Sequence, residues 1–210
     1  ITDLNVLPPL PYHLLDIESF FQRTKSRIFY YISSRGCPHQ CGFCADFVIY
    51  KRRWNALNAQ RVVNELSELY HKYRFTAVRF FDSNLFVDEQ RIKKICKGLI
   101  ANKVRFKWLK CNGDAFILSN YQEETFELME KAGVENILIG IESGHGPALE
   151  CVGKKASQEE NFIAKEKLFK HKISIGLSLM FGFPYDLPKD KLTEEHKKEI
   201  FYTMNAIAKF

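Results

Sequence analysis

Three cysteines fall within eight residues of the chain, at the spacing C-x3-C-x2-C. Cys37, Cys41 and Cys44 follow an apolar run at 28–32, and the neighbouring glycines give the backbone freedom to wind a loop around one centre. A structural zinc site takes four protein ligands, and ordinary electron-transfer iron–sulfur clusters are also held by four cysteines. Three thiolates therefore favour a cluster with one iron left open to a small molecule.

Three other interpretations of the cysteines stay open on spacing alone. The first is a zinc site completed by His39 or by a distant ligand, although His39 lies between two of the cysteines, which makes it an awkward ligand. The second is a disulfide with one spare thiol. The third is three unconnected cysteines, since free cysteine is common in protein cores.

The composition is that of an ordinary globular chain with one sizeable core: 210 residues, 46% hydrophobic and 27% charged. No apolar run approaches the roughly 20 residues of a membrane span, so we expect no membrane partner. The first residues, Ile-Thr-Asp-Leu-Asn, show no secretory signal. Six cysteines, three of them clustered, favour a reducing compartment, and we expect the protein in the cytoplasm.

The net charge of +6 raises the question of nucleic acid. The basic residues are scattered, however, and the one compact run, Lys51-Arg52-Arg53-Trp54, is short. Such a pattern is more typical of a solvated surface, so nucleic acid is not an expected partner. An anionic substrate or cofactor phosphate stays open.

Residues 1–26 are rich in proline, and prolines at this density disfavour a regular helix or central strand. We therefore expect a linker arm at 1–26 that packs against the domain. From residue 27 onward, short apolar runs alternate with amphipathic stretches. The predicted strands are Ile28–Ser33, Thr76–Asp82, Arg105–Cys111, Asn136–Ile141 and Ile173–Phe181. The predicted helices are Ala59–Tyr73, Glu89–Asn102, Gln122–Ala132, Gln158–His171 and Glu194–Ala208.

Five strand–helix units with apolar strands predict an α/β fold with a parallel sheet covered by helices. In such folds the chemistry lies at the carboxyl ends of the strands, where the polar residues of this chain recur. Asp82 and Asn84 follow the second strand and could bind an ammonium group or form a turn or helix cap. Glu142 and Ser143 follow the fourth strand and suit the hydroxyls of a ribose, while Phe183 follows the fifth and could flank a base.

The order of these motifs resembles the radical S-adenosylmethionine (SAM) superfamily, and in particular its cobalamin-binding subgroup. The resemblance covers about residues 28–190 and rests on Cys-Pro-x-x-Cys-x-Phe-Cys, F-F-D-S-N-L-F, I-G-I-E-S-G and M-F-G-F-P. It implies a partial (β/α) barrel of radical SAM type over residues 27–210, with the sixth strand not included. It also implies a four-iron four-sulfur cluster on Cys37, Cys41 and Cys44, with SAM on the open iron.

By this resemblance, Phe43 lies near the adenine, and Asp82 with its neighbour Asn84 holds the methionyl amine. Glu142 and Ser143 reach the ribose, Phe183 flanks the base, and Lys154 or Lys155 approaches the SAM carboxylate. No acid–base catalytic residue can be assigned. Two departures affect these expectations: Asn112-Gly113 stands where the subgroup often has an arginine, and Asp186 stands where a glutamate is usual.

The activity that the resemblance implies is reductive cleavage of SAM to methionine and a 5′-deoxyadenosyl radical, which abstracts a hydrogen atom from the substrate. The partners are then a small-molecule or peptide substrate and an electron donor such as a flavodoxin or ferredoxin. A cobalamin-dependent methyltransferase or cyclase is expected, with cobalamin bound outside this chain. The alternatives are a radical SAM enzyme without cobalamin, such as a methylthiotransferase or peptide-modifying enzyme, and a zinc-stabilised α/β binding module.

Overall fold

The computed structural model describes residues 3–210, apart from the side chain of residue 190. Its strands are β1 (Ile28–Tyr31), β2 (Ser34–Arg35), β3 (Asn55–Ala56), β4 (Ala77–Phe80), β5 (Lys107–Leu109), β6 (Cys111–Gly113), β7 (Asn136–Glu142) and β8 (Ser174–Leu179). Its α-helices are α1 (Ile17–Thr24), α2 (Ala45–Tyr50), α3 (Ala59–Tyr73), α4 (Glu89–Ala101), α5 (Ala115–Ser119), α6 (Glu123–Lys131), α7 (Gly146–Cys151), α8 (Gln158–Lys170) and α9 (Lys189–Ile207).

Two parallel three-stranded sheets follow one another around the core. One has the order β1-β4-β5 and the other the order β6-β7-β8, and all their pairings are parallel. A single residue, Lys110, separates β5 from β6, and its φ of 50° turns the strand between the two sheets. Trp108 of β5 also bridges to Val134 just before β7. The wall therefore has five strand positions in chain order, and the predicted α/β partial barrel is confirmed.

Burial alternates along β1 and β7, so one side of these strands carries most of the core, and β8 has no fully buried residue. Val78, Trp108 and Ile137 are fully buried, as expected for strands of continuous apolar sequence. The helices contribute apolar stripes, among them Leu66 of α3 and Ile95 of α4. This packing fixes the carboxyl ends of the strands relative to one another.

Most predicted helix and strand boundaries agree with the structure to within a few residues. The predicted third strand, Arg105–Cys111, is instead the two pieces β5 and β6, because Lys110 leaves the extended conformation. The last helix begins at Lys189 rather than Glu194, directly after its N-cap residue Pro188. Ser157 and Glu160 form the capping box of α8 that their spacing indicates.

The residues before β1 pack on the rest of the chain, and the expectation that they hold no regular helix is wrong for the second half of this segment. The prolines end at Pro11, and Asp16 then caps α1 by accepting a hydrogen bond from Ser19 N at 3.0 Å. Phe21 of α1 is buried, and the Tyr12 hydroxyl donates to the Tyr30 carbonyl at 3.1 Å. Within residues 3–210, no helix is both long and apolar enough to cross a membrane.

Candidate functional site

Residues 34–56, here called the cysteine excursion, leave the carboxyl end of β1 and return to it. β2 and β3 pair antiparallel at its base. Gly36 begins the loop with a φ of +82°, and a Cβ built on it would lie 2.1 Å from the Arg53 carbonyl oxygen. No side chain fits there, so this glycine is required both for its conformation and for the close contact between the two ends of the loop.

The base of the cysteine excursion is fastened by two buried charged residues. Asp82 accepts hydrogen bonds from Ser33 N at 2.9 Å, and from Ser33 Oγ and Ser34 Oγ at 2.6 Å each. Arg91 donates to the carbonyl oxygens of Leu57 at 2.8 Å and Ser33 at 3.1 Å. Burial raises the pKa of Asp82, although the serine hydrogen bonds and the charge of Arg91 oppose this. Both oxygens of Asp82 are therefore engaged by the chain itself.

The three clustered thiols lie close together at the rim of the sheet. Cys41 is buried, while Cys37 and Cys44 are half-buried, and all three are free thiols, so the disulfide interpretation is wrong. Burial raises the pKa of Cys37 and of Cys41, and charge on the other clustered thiols raises it further. The Asn84 side chain lies against Cys37 and opposes the rise in its pKa.

The donor set of the cysteine excursion consists of three free thiols. Within residues 3–210, no three His, Cys, Asp or Glu side chains are grouped as the ligands of one metal ion. A zinc ion needs its ligands around one point, whereas each cysteine of an iron–sulfur cluster binds a different iron. Three free thiols on one glycine-initiated loop have the donor chemistry that an iron–sulfur cluster uses.

A buried group of charges lies beside the cysteine excursion. Lys154 Nζ is 3.1 Å from Asp114 Oδ2, and each of these side chains is 8% exposed. His39 Nε2 is 3.3 Å from Asp114 Oδ1 but is not aligned for hydrogen bonding, so both atoms are left without a hydrogen-bond partner. Polar atoms in that state, beside three thiols, indicate a place for a polar ligand. His39 faces Asp114, and not a zinc-like set of ligands.

The charges in this group balance one another. Burial raises the pKa of Asp114, but His39 and Lys154 outweigh it and bring the pKa down to about 2. Burial likewise lowers the pKa of Lys154, and the charges of Asp114, Cys41 and Glu142 reverse this, so that it ends above its ordinary value. Lys154 is therefore a firmly protonated cation that reaches both the thiol loop and the end of β7.

Glu142 ends β7 in a left-handed conformation, with a φ of 57°. Its side chain folds back over Gly140: a Cβ on that glycine would lie 2.2 Å from Glu142 Oε1 and 3.6 Å from Lys154 Nζ. Burial raises the pKa of Glu142, while Lys154 and a 3.4 Å contact from Ser178 Oγ oppose the rise. Such backbone strain in a non-glycine residue marks a position held by its surroundings.

Helix α9 packs against the residues that directly follow β7 and the turn that follows β8. Ser143 is fully buried, and its hydroxyl lies 2.9 Å from the Thr203 hydroxyl of α9. Glu199 of α9 is also fully buried and accepts hydrogen bonds from Gly182 N at 2.8 Å and Phe183 N at 3.3 Å. It therefore holds the turn after β8 in place.

The structure brings some of the predicted site residues together and separates others. Cys37, Cys41, Cys44, Asn84, Glu142 and Lys154 surround one region at the carboxyl ends of the strands, as described above. Phe43 stands next to Cys44 and is 41% exposed. The side chain of Lys154 is only 8% exposed, whereas Lys155 is exposed, with its Nζ 5.7 Å from the centre of the Phe116 ring.

Three predicted contacts have structural partners instead of free space around them. Asp82 is hydrogen-bonded to Ser33 and Ser34, and the Ser143 hydroxyl is hydrogen-bonded to Thr203 of α9. Phe183 packs in a small apolar cluster with Ala148 and Val152. Asn84 caps a turn by accepting from Phe86 N at 3.2 Å, while the N-cap of α4 is Asp88. Asp82, Ser143 and Phe183 therefore hold neighbouring segments in place, whereas Asn84 also lies against Cys37.

Two functional candidates were not predicted from the sequence. Asp114 follows β6 directly, so its position at a strand end was a usable signal. Glu199 carries no signal of its own, because its partners lie 16 and 17 residues earlier on another element.

A sequence model of the radical SAM superfamily matches residues 31–194, which is most of the chain. Among curated relatives, the chain is 26% identical to the uncharacterized methyltransferase PH0819 of Pyrococcus horikoshii, over 73% of this chain and 32% of that protein. It is 24% identical to the hopanoid C-3 methylase of Methylococcus capsulatus, over 80% of this chain and 31% of that protein. The chain thus spans about a third of the length of these relatives.

Among solved structures, the cobalamin-dependent SAM radical enzyme OxsB, with aqua-cobalamin and SAM bound, has a TM-score of 0.69. The match covers 88% of this chain and 27% of that one, at 22% sequence identity. At this level of identity the similarity supports the fold alone.

Proposed function

The chain belongs to the radical SAM superfamily, and we propose that it holds a four-iron four-sulfur cluster and cleaves SAM reductively. Cys37, Cys41 and Cys44 would hold the cluster. The observation that carries this is the cysteine excursion itself: three free thiols on one loop at the carboxyl end of β1, beside a buried group of charges. The family match and this donor set together leave no support for the zinc-stabilised binding module.

When bound at Cys37, Cys41 and Cys44, the cluster would supply the one electron that reductive cleavage of SAM requires. The chain's own residues bind and orient. Lys154 offers a cation for the SAM carboxylate, and Glu142 offers carboxylate oxygens for the ribose hydroxyls. The exposed ring of Phe43, next to Cys44, suits the adenine. Asp82 and Arg91 hold the base of the loop still.

In this proposal, Asp114 keeps Lys154 protonated and ready to bind the SAM carboxylate. A cation buried without a partner would lose its proton, and the carboxylate of Asp114 keeps Lys154 charged before SAM arrives. Arrival of the SAM carboxylate would then draw Lys154 toward a shared position between two anions. The unpartnered oxygen of Asp114 and the unpartnered His39 Nε2 are free to accept from, or donate to, the methionyl end of SAM.

The complete reaction is proposed from the relatives, because the chain spans about a third of their length. We expect a methyltransferase or cyclase that uses cobalamin held by a region outside these residues, and a small-molecule or peptide substrate. The proposed division of the chain is a linker arm at 1–26 and a catalytic core at 27–210. A radical SAM enzyme without cobalamin is the alternative.

The test is formation of 5′-deoxyadenosine from SAM by the anaerobically reconstituted, dithionite-reduced chain. Replacing Cys37, Cys41 or Cys44 by alanine should abolish the product and bound iron together. Cys151→Ala is the matched control, because Cys151 is an exposed free thiol outside the cysteine excursion. Product formation that survives Cys41→Ala would overturn the proposal, as would a reconstituted wild-type chain that binds zinc and no iron.

A further inference from the structure

One exposed face of the cysteine excursion is both apolar and basic. Within α2, Phe47 is 38% exposed, Val48 72% and Ile49 66%. Lys51, Arg52 and Arg53 follow without a break and are also exposed. Residues 47–53 are called the α2 face below. Exposed apolar side chains next to three cations, on a helix with no buried residue, are typical of a protein-interaction site.

The cations of the α2 face are not used within the chain. Lys51, Arg52 and Arg53 form no ion pair with any side chain that the structure describes in residues 3–210. Lys51 and Arg52 also adopt left-handed φ angles of 49° and 61°. The angle of Lys51 is the left-handed C-cap that ends α2. The three neighbouring cations therefore have no ionic partner among the described side chains.

The α2 face adjoins the thiols. Cys44 is the N-cap of α2, and a Cβ on Gly36 would touch Arg53 O at 2.1 Å and Tyr50 Cβ at 2.9 Å. Cys37 and Cys44 are half-exposed. A group held by these thiols would thus lie within a short distance of any protein seated on the α2 face, and the rate of electron transfer falls steeply with distance.

We infer that the α2 face docks a small acidic one-electron carrier protein. The inference rests on the proposed function, since only a chain that holds the cluster needs the electron. In the transfer, a flavin hydroquinone anion of the carrier is oxidised to the neutral semiquinone and the cluster is reduced by one electron, so no proton has to cross the interface. The cations attract the acidic carrier, and the apolar side chains of α2 supply the contact area.

A nucleic acid is the other partner that basic residues suggest. The observations favour a protein, because the basic run is short and three aliphatic or aromatic side chains lie exposed beside it. Single-stranded nucleic acid would instead track a longer positively charged groove.

The test compares two variants with equal charge changes. The face variant is Lys51→Glu/Arg52→Glu/Arg53→Glu, and the control variant is Lys25→Glu/Lys103→Glu/Arg105→Glu. The control residues are exposed and form no ion pair with the side chains described in residues 3–210. They lie at the amino ends of β1 and β5, opposite the cysteine excursion. Each triple change lowers the net charge of +6 by six.

Binding and turnover are both measured on the reconstituted chain. Calorimetric titration with reduced flavodoxin gives a Kd, and 5′-deoxyadenosine formation is followed with reduced flavodoxin or with dithionite as the electron source. We expect the face variant to bind flavodoxin at least about 10-fold more weakly at low salt, with the difference shrinking at high salt. The control variant should stay within about 2-fold, and both variants should keep wild-type turnover with dithionite.

Failure of the docking inference and failure of the proposed function give different results. Equal losses in both variants, unchanged flavodoxin binding by the face variant, or no flavodoxin binding by the wild type would overturn the docking inference. So would a face variant that loses binding to a mixed-sequence RNA while keeping flavodoxin. Absence of dithionite-driven SAM cleavage in the wild type would contradict the proposed function instead, and the Kd comparison would still decide the docking.

Discussion

Removing the carboxylate of Asp82 should destabilise the chain even when no SAM is present. Its two oxygens accept three hydrogen bonds at 2.6 to 2.9 Å from Ser33 and Ser34, at a position that is fully buried. The resemblance to the superfamily gives Asp82 a different role, as a ligand of the methionyl amine. The two roles predict different results for the SAM-free protein.

The size of the effect follows from the donors left behind. Asp82→Ala leaves one backbone N–H and two hydroxyls buried without their acceptor, at about 1–3 kcal/mol each and less than additively. Burying the Asp82 carboxylate itself costs free energy, as its raised pKa shows, so its removal offsets part of this loss of stability. We expect a net loss of about 3 kcal/mol in the free energy of unfolding. Asp82→Asn should cost about half as much, because an amide oxygen can still accept from Ser33 N and the hydroxyls can turn toward its NH2 group.

Urea denaturation of the SAM-free chain, followed by circular dichroism, measures these differences. Asp186→Asn is the matched control, since Asp186 is exposed, and it should change stability by less than about 0.5 kcal/mol. The reasoning would be refuted if Asp82→Ala were as stable as the control variant while its affinity for SAM fell at least 10-fold. That pattern belongs to a ligand residue and not to an anchor of the loop.

Other residues give further expectations. Glu199→Ala should cost about 2 kcal/mol of stability and weaken SAM binding in equilibrium dialysis, since it frees the turn at 182–183; unchanged SAM binding would contradict this. Lys154→Met should cost about 3 kcal/mol by leaving Asp114 unpaired, and adding Asp114→Asn should restore most of it in a double-mutant cycle. Asp114, with its pKa lowered to about 2 from 3.8, should contribute about 2 kcal/mol above about pH 4, and this should vanish as the pH falls toward 2; Asp114→Asn should flatten that part of the pH–stability curve. Gly36→Ala should lower bound iron after reconstitution, and full iron binding would refute the close contact with Arg53.

The fold could be predicted from the sequence because its strands and long helices carry local signals. The apolar run at 76–82 and the spacing of Val62, Val63 and Leu66 each indicate one element without knowledge of the rest. The short helices α1, α2, α5 and α7 were not predicted, since five to eight residues are too few for a helical period to stand out.

The site could be predicted only in part, because sequence shows which residues follow a strand but not what they touch. Glu142 stands at a strand end, as expected, whereas Lys154 comes after α7 and was predicted only from the family resemblance; both lie beside Gly140. Asp82 and Ser143 follow the same rule, yet both are engaged by partners 48 to 60 residues away. Asp114 and Glu199 act through pairings of the same long-range kind, which spacing does not encode.

The central claim is that Cys37, Cys41 and Cys44 hold a cluster with an iron open to SAM. Electron paramagnetic resonance of the anaerobically reconstituted, dithionite-reduced chain, recorded with and without SAM, tests it most directly. The account predicts a four-iron cluster signal that shifts when SAM is added and is absent in Cys41→Ala. A wild-type signal that does not respond to SAM, or a colourless protein that holds zinc, would contradict it.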